Sequence, residues 1–270
     1  ALAELRANNG GTPEEVAGLI NKAVAANPTE VQPRLALIQY YLNTKDNKKA
    51  LTAANDALAA IPDKPEILDA LGRTQQISGD LNQALTTYGK LATLQPASPL
   101  AQMRLAEIHI ASKNKDEAGK SLKKALEIKP DLIEAQRGLI LLAMDAKKPK
   151  EALDVARQIQ KQRPKEAVGY VVEGDIYASD KAWPETIAAY RNGLKQAPTP
   201  ELAIKLHSAL LASGNAAEAE KMALAWNKEH PKNIALRMHL GDVATARKDY
   251  ALASQQYRSA LEIQPNNPLV

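Results

Sequence analysis

Apolar residues return along this chain at helical spacing in paired blocks, and a proline closes each pair. Between Pro62 and Pro96, Leu68, Leu71, Gly72 and Gln75 mark one block, and Ala84, Tyr88 and Leu91 mark the next. Pro65 suits the first turn of the first block, where its missing N–H would have no partner anyway. Gly79-Asp80 breaks the pattern as a C-cap glycine followed by a polar turn residue. Gln95-Pro96 ends the second block, because a residue before proline is pushed out of the helical region. The spacing predicts a helix–turn–helix unit, each helix about 12 to 14 residues and roughly 20 Å long.

This unit repeats. Pro28, Pro62, Pro96, Pro130, Pro164 and Pro198 stand 34 residues apart, Pro231 follows after 33, and Pro265 after another 34. Leu37, Leu71, Leu105, Leu139, Leu206 and Leu240 share one position, with Gly72, Ala106, Gly174 and Gly241 just behind it. Ala50, Ala84, Ala118, Ala152, Ala219 and Ala253 recur twelve residues before a proline, and Tyr88, Tyr190 and Tyr257 recur eight before. The small residues let paired helices approach closely, while Leu and Tyr fill the space between them. A single hairpin cannot bury its apolar face alone, so such units must stack into a solenoid. The organisation expected is one solenoid over 1–270. It starts with a partial unit 1–28 and continues with full units 29–62, 63–96, 97–130, 131–164, 165–198, 199–231 and 232–265. Gly10-Gly11 sits at the turn of the first unit, so residues 1–9 read as the tail of a truncated helix. Pro268 reads as the start of a further one over 266–270.

The pattern of a hydrophobe, Leu-Gly or Leu-Ala, a central Ala, an aromatic, an Ala and a closing Pro resembles the tetratricopeptide repeat. The resemblance covers the whole chain and is strongest over Leu68–Pro96, Tyr170–Pro198 and Arg237–Pro265; it is weakest in the first unit and in Ile204–Pro231, where His207 replaces the usual Gly. It implies an all-α, right-handed superhelical solenoid whose first helices line a concave groove. In that frame the groove-facing series is Gln39, Arg73, Glu107, Leu141, Asp175, Ser208 and Asp242, with Arg104, Arg137, Val171, Met103 and Met238 beside it. The carboxylate clamp of some family members needs Lys and Asn at set places. Leu35 and Gln39, or Asp69 and Arg73, stand there instead, which argues against a chaperone C-terminus as ligand.

Composition changes this picture little. With no Cys there is no disulfide, zinc knuckle or thiol nucleophile. The longest apolar run, Leu139–Met144, falls far short of the roughly 20 residues of a membrane span. No signal peptide is visible, because Ala1 opens directly into the helical pattern. The net charge is +4, yet residues 113–165 hold 14 Lys and Arg against 8 Asp and Glu. Lys45, Lys113, Lys147, Lys181 and Lys248 share the turn register, interrupted by Gly79 and Gly214. They suggest either a basic edge for an anionic polymer or lysines answering the helix C-terminal carbonyls, and the second reading gives each a local reason. Trp183 and Tyr250 share the start of the second helix and read as core packing. The four histidines have no metal-site spacing, and neither a nucleophile elbow nor a phosphate loop is present.

The function expected is a non-catalytic scaffold that needs no cofactor and no metal and binds a protein or peptide partner in the groove. Ala/Lys/Gln-rich units such as Leu240–Tyr250 resemble the tetratricopeptide lipoprotein family associated with PEP-CTERM/exosortase systems. That resemblance implies a bacterial periplasm- or envelope-facing role in exopolysaccharide or protein export, with the cytoplasm left open. The alternative is a direct binder of an acidic polysaccharide, an anionic lipid surface or, least favoured, nucleic acid along the lysine edge.

Overall fold

The eight recurring prolines act at the backbone as the sequence requires. Asn27, Ile61, Gln95, Lys129, Arg163, Ala197, His230 and Gln264 each end a helix and each precede a proline, with φ between −123° and −144°. Steric conflict with the proline ring keeps these residues out of the helical region, with ψ between 62° and 92°. Other prolines open helices: Pro13, Pro65, Pro99, Pro149 and Pro200 each occupy a first helical position. Thr12 adds a capping box, accepting from the Glu15 amide at 3.2 Å while the Glu15 carboxylate accepts from the Thr12 amide at 2.9 Å.

The computed structural model describes Ala3, Arg6 and residues 9–265. Among the described residues there are fifteen α-helices and no strand. They are α1 (Pro13–Ala26), α2 (Val31–Asn43), α3 (Asn47–Ala60), α4 (Pro65–Ile77), α5 (Leu81–Leu94), α6 (Pro99–Ala111), α7 (Lys115–Ile128) and α8 (Ile133–Asp145). Then follow α9 (Pro149–Gln162), α10 (Val168–Ser179), α11 (Trp183–Gln196), α12 (Pro200–Ala212), α13 (Ala216–Glu229), α14 (Ala235–Ala246) and α15 (Tyr250–Ile263). The helix start expected at Pro268 and most of the tail at 1–9 lie outside the described residues.

Two units emerge from the packing, Ala1–Gly138 and Leu139–Val270. In the first, each helix from α1 to α7 packs on the next, and the first helices α2 and α4 also meet. In the second, consecutive helices from α9 to α15 pack likewise, and α10 meets α12 as α12 meets α14. Each unit is therefore a run of hairpins with first helices side by side, the stacking expected of a tandem helical repeat.

The core uses one device in seven hairpins. The small position after the Leu and the position sixteen residues later hold one large and one small side chain. Gly72 faces Tyr88, Gly174 faces Tyr190 and Gly241 faces Tyr257, and a Cβ on any of these glycines would fall 2.5 Å, 2.1 Å or 2.5 Å from the ring. Ala106 with Leu122 moves one step toward balance. Ile38 with Ala54, Ile140 with Ala156 and His207 with Ala223 invert the order, and all of these residues are buried. Close packing tolerates the exchange because the summed volume is kept. His207 is thus no irregularity; it fills the room left by Ala223. The same hairpin has Trp226 buried among Ala203, Ala223 and Leu236, its ring 3.9 Å from His230. Tyr250, by contrast, is 67% exposed, so the core role expected from its register with Trp183 does not hold for it.

Candidate functional site

The first helices of the first unit line a cleft. Leu35, Ile38, Gln39 and Leu42 of α2 form one wall and Pro65, Glu66, Asp69, Ala70 and Arg73 of α4 the other, with Gln95 and Leu100 closing it, around about 460 Å³. The wall on α2 follows from its sequence, since positions spaced by three and four share a helix face. Gln39 and Arg73 were expected on this surface. The apolar floor of Leu35, Leu42 and Leu100 and the rim carboxylate Glu66 were not, although the stripe in α2 carried the signal.

Several expected groove residues are committed to the fold. Arg104 is half-buried; its guanidinium donates to Asp69 at 2.9 Å and to Glu107 at 3.2 Å. Partial burial disfavours its charge, but the two carboxylates outweigh this and raise its pKa above the ordinary value. Gln39 is exposed and donates to Asn43 at 2.7 Å within its own helix. In the second unit Asp175 accepts from the Tyr190 hydroxyl at 2.5 Å and from Lys205 at 2.7 Å. Asp242 accepts from the Tyr257 hydroxyl at 2.7 Å. These two aspartates, expected as groove charges, tie the second helix of their hairpin to the first. Ser208 lies exposed, its hydroxyl 3.4 Å from His239 Nε2. Arg73, Arg137 and Leu141 are exposed and have no hydrogen bond or ion pair among the described residues, with Leu141 70% exposed.

The lysine register has a backbone cause. Lys45, Lys113, Lys147, Lys181 and Lys248 all adopt left-handed backbone with φ between +56° and +63°, and Gly79 and Gly214 take the same place with φ of +85° and +82°. Each closes a Schellman turn: the Lys45 amide donates to Leu42 O at 3.1 Å and the Asp46 amide to Tyr41 O at 2.9 Å, and the pattern repeats at the other four. The glycines are the residues this geometry prefers, so they are members of the register, not interruptions of it. The lysine side chains are exposed, with no ion pair among the described residues.

His207 Nδ1 and His239 Nε2 stand 3.0 Å apart between α12 and α14. Burial, then the neighbouring His239 and Arg247, push His207 down to about 4, and burial lowers His239 as well. Both imidazoles are therefore neutral at neutral pH and share one hydrogen. Among the described residues, no group of three or more His, Cys, Asp or Glu could hold a metal ion, and no helix is long and apolar enough to cross a membrane.

Residues 77–131 and 205–268 each match a family model described as tetratricopeptide repeat. These two segments of the chain carry tetratricopeptide repeats. No curated protein matches it in sequence. Among solved structures it is similar to a tetratricopeptide repeat protein from Parabacteroides merdae, with 15% identity over 87% of this chain and 94% of that one and a TM-score of 0.53. It is also similar to the C-terminal part of a TPR repeat-containing protein from Cytophaga hutchinsonii, with 13% identity, 99% and 96% coverage and a TM-score of 0.57. A third is yeast Tom70, with 14% identity over 93% of this chain and 55% of that one and a TM-score of 0.55. At these identities the likeness concerns the tetratricopeptide fold alone, and the expected all-α tandem-repeat solenoid is the fold observed.

Proposed function

We propose that this chain is a non-catalytic scaffold that binds a protein or peptide partner along the face formed by its first helices. The observation that carries the reading is the first-unit cleft, whose apolar floor and uncommitted rim charges suit a side chain from outside. The groups with shifted pKa support a scaffold over an enzyme, since burial in the fold leads the shift of Tyr190 and His207, and at Arg104 the structural ion pairs with Asp69 and Glu107 outweigh burial. The test is to select peptides on the intact chain and then to block each face with tryptophan. Leu42→Trp and Ser208→Trp on first helices should weaken binding, whereas Leu224→Trp on a second helix should not. Binding indifferent to both first-helix variants would remove the reading.

Within that role the partner is proposed to belong to a bacterial envelope export system for exopolysaccharide or surface protein, with the chain facing the periplasm. The Ala/Lys/Gln-rich repeat texture supports this, and recovery of the native protein only from the cytosol would end it. The rival reading is an acidic polysaccharide held along Lys45, Lys113, Lys147, Lys181 and Lys248. Their exposure favours it; binding that falls steeply with added salt and with loss of these lysines would establish it.

A further inference from the structure

We propose that the first-unit cleft receives a partner segment in which an apolar side chain is flanked by a carboxylate on one side and a cationic group on the other. This rests on the reading of the first-helix face as the binding face, and it names what that face recognises there.

The charges around the cleft are the starting point. Asp69 is already taken by Arg104. Arg73 and Glu66 both line the cleft, and neither has a hydrogen bond or ion pair among the described residues. They lie seven residues apart on α4, two helical turns, and so project from one face about 10 Å from each other. About three residues of extended chain span that distance. Leu35, Leu42 and Leu100 add apolar surface to the same cleft. A segment with an apolar side chain central, a carboxylate toward Arg73 and an ammonium or guanidinium toward Glu66 would answer both charges.

A second observation singles out Arg73. In the hairpins of Tyr190 and Tyr257 the residue after the glycine is an aspartate that accepts the tyrosine hydroxyl. The hairpin of Gly72 and Tyr88 keeps the glycine and the tyrosine but puts Arg73 in that place. Tyr88 is completely buried, and its hydroxyl has no partner among the described residues. The hairpin thus gives up a hydrogen bond that its own repeats know how to make, and gains an exposed guanidinium on the cleft rim. Departures from local consistency of this kind concentrate at functional positions.

The test selects from a displayed library of random dodecapeptides on the intact chain. Enriched sequences should carry an apolar residue with Asp or Glu on one side and Lys or Arg on the other. A synthetic peptide of that sequence should bind the Arg73→Glu variant about tenfold more weakly. The double variant Glu66→Lys/Arg73→Glu should prefer the same peptide with its charges exchanged. Arg73→Gln, read beside thermal melting, guards against a folding defect. Enriched peptides that ignore Arg73 and Glu66 but are displaced by Ser208→Trp would overturn this inference and leave the first-helix face as the binding face. Enrichment indifferent to every first-helix variant, or no enrichment at all, would overturn both.

Discussion

Replacing each of the three packed tyrosines by phenylalanine should separate them sharply, because the three rings pack alike and only the hydroxyls differ. Tyr190 donates to a carboxylate at 2.5 Å that also holds Lys205. Hydrogen bonds to charged groups contribute about 1.5–3 kcal/mol, and since Asp175 keeps Lys205 after the substitution, Tyr190→Phe should cost about 1–2 kcal/mol. Tyr257 donates to Asp242, which is exposed and can turn to solvent, so Tyr257→Phe should cost about 0.5–1 kcal/mol. Tyr88 has a buried hydroxyl without a partner among the described residues. Leaving such a group unsatisfied costs about 1–3 kcal/mol, so Tyr88→Phe should be neutral or stabilise by about 1 kcal/mol. Urea denaturation followed by circular dichroism reads the series, with an unchanged slope marking a change in stability alone. A Tyr88→Phe variant as destabilised as Tyr190→Phe would show that the Tyr88 hydroxyl is satisfied, and Arg73 would then no longer stand out as a departure from the repeat.

Lys→Gly at Lys45, Lys113, Lys147, Lys181 and Lys248 should stabilise by up to about 1 kcal/mol each, as relief of about 1–2 kcal/mol of left-handed strain exceeds the entropy cost of glycine; lower urea midpoints would show that the side chains matter more than the backbone. Ala84→Leu or Ala253→Leu should destabilise by about 1–3 kcal/mol through overpacking, since both sites are buried, and unchanged melting would mean the close helix contacts lie elsewhere. The His207–His239 pair predicts acid sensitivity. His207 has its folded pKa lowered to about 4 by burial, His239 and Arg247, while the unfolded chain titrates near 6.5. The unfolded state therefore binds more protons in that window, and stability is intact above about pH 6.5 and falls as pH drops toward 4. His207→Ile should fold, as Ile38 and Ile140 do opposite alanine, and should melt with less pH dependence over the same window; an unchanged profile would place the acid sensitivity in other groups.

How much of this was legible depends on whether a residue acts within its own hairpin. The prolines, the capping box at Thr12 and the glycines under Tyr88, Tyr190 and Tyr257 are local, and their spacing announces them. The lysine register was visible too, but both readings of it, a basic edge and partners for the helix C-terminal carbonyls, looked to the side chains and passed over what Gly79 and Gly214 already said, that the shared property is a positive φ. His207 looked anomalous for a similar reason. One position was compared down the chain, while the packing constraint falls on two positions sixteen apart, and Ala223 had already made the room. Contacts between hairpins are harder to read. Arg104 reaches Asp69 from 35 residues away, and His239 reaches His207 from 32; both pairs become visible only when first helices are laid side by side. With these contacts assigned, Asp175, Asp242 and Arg104 each have a partner within the fold. What remains on the first-helix face of the first unit is Arg73 and Glu66 beside an apolar cleft; Glu66 stands in the first turn of α4, where its charge answers the helix dipole, and neither makes a hydrogen bond or ion pair among the described residues.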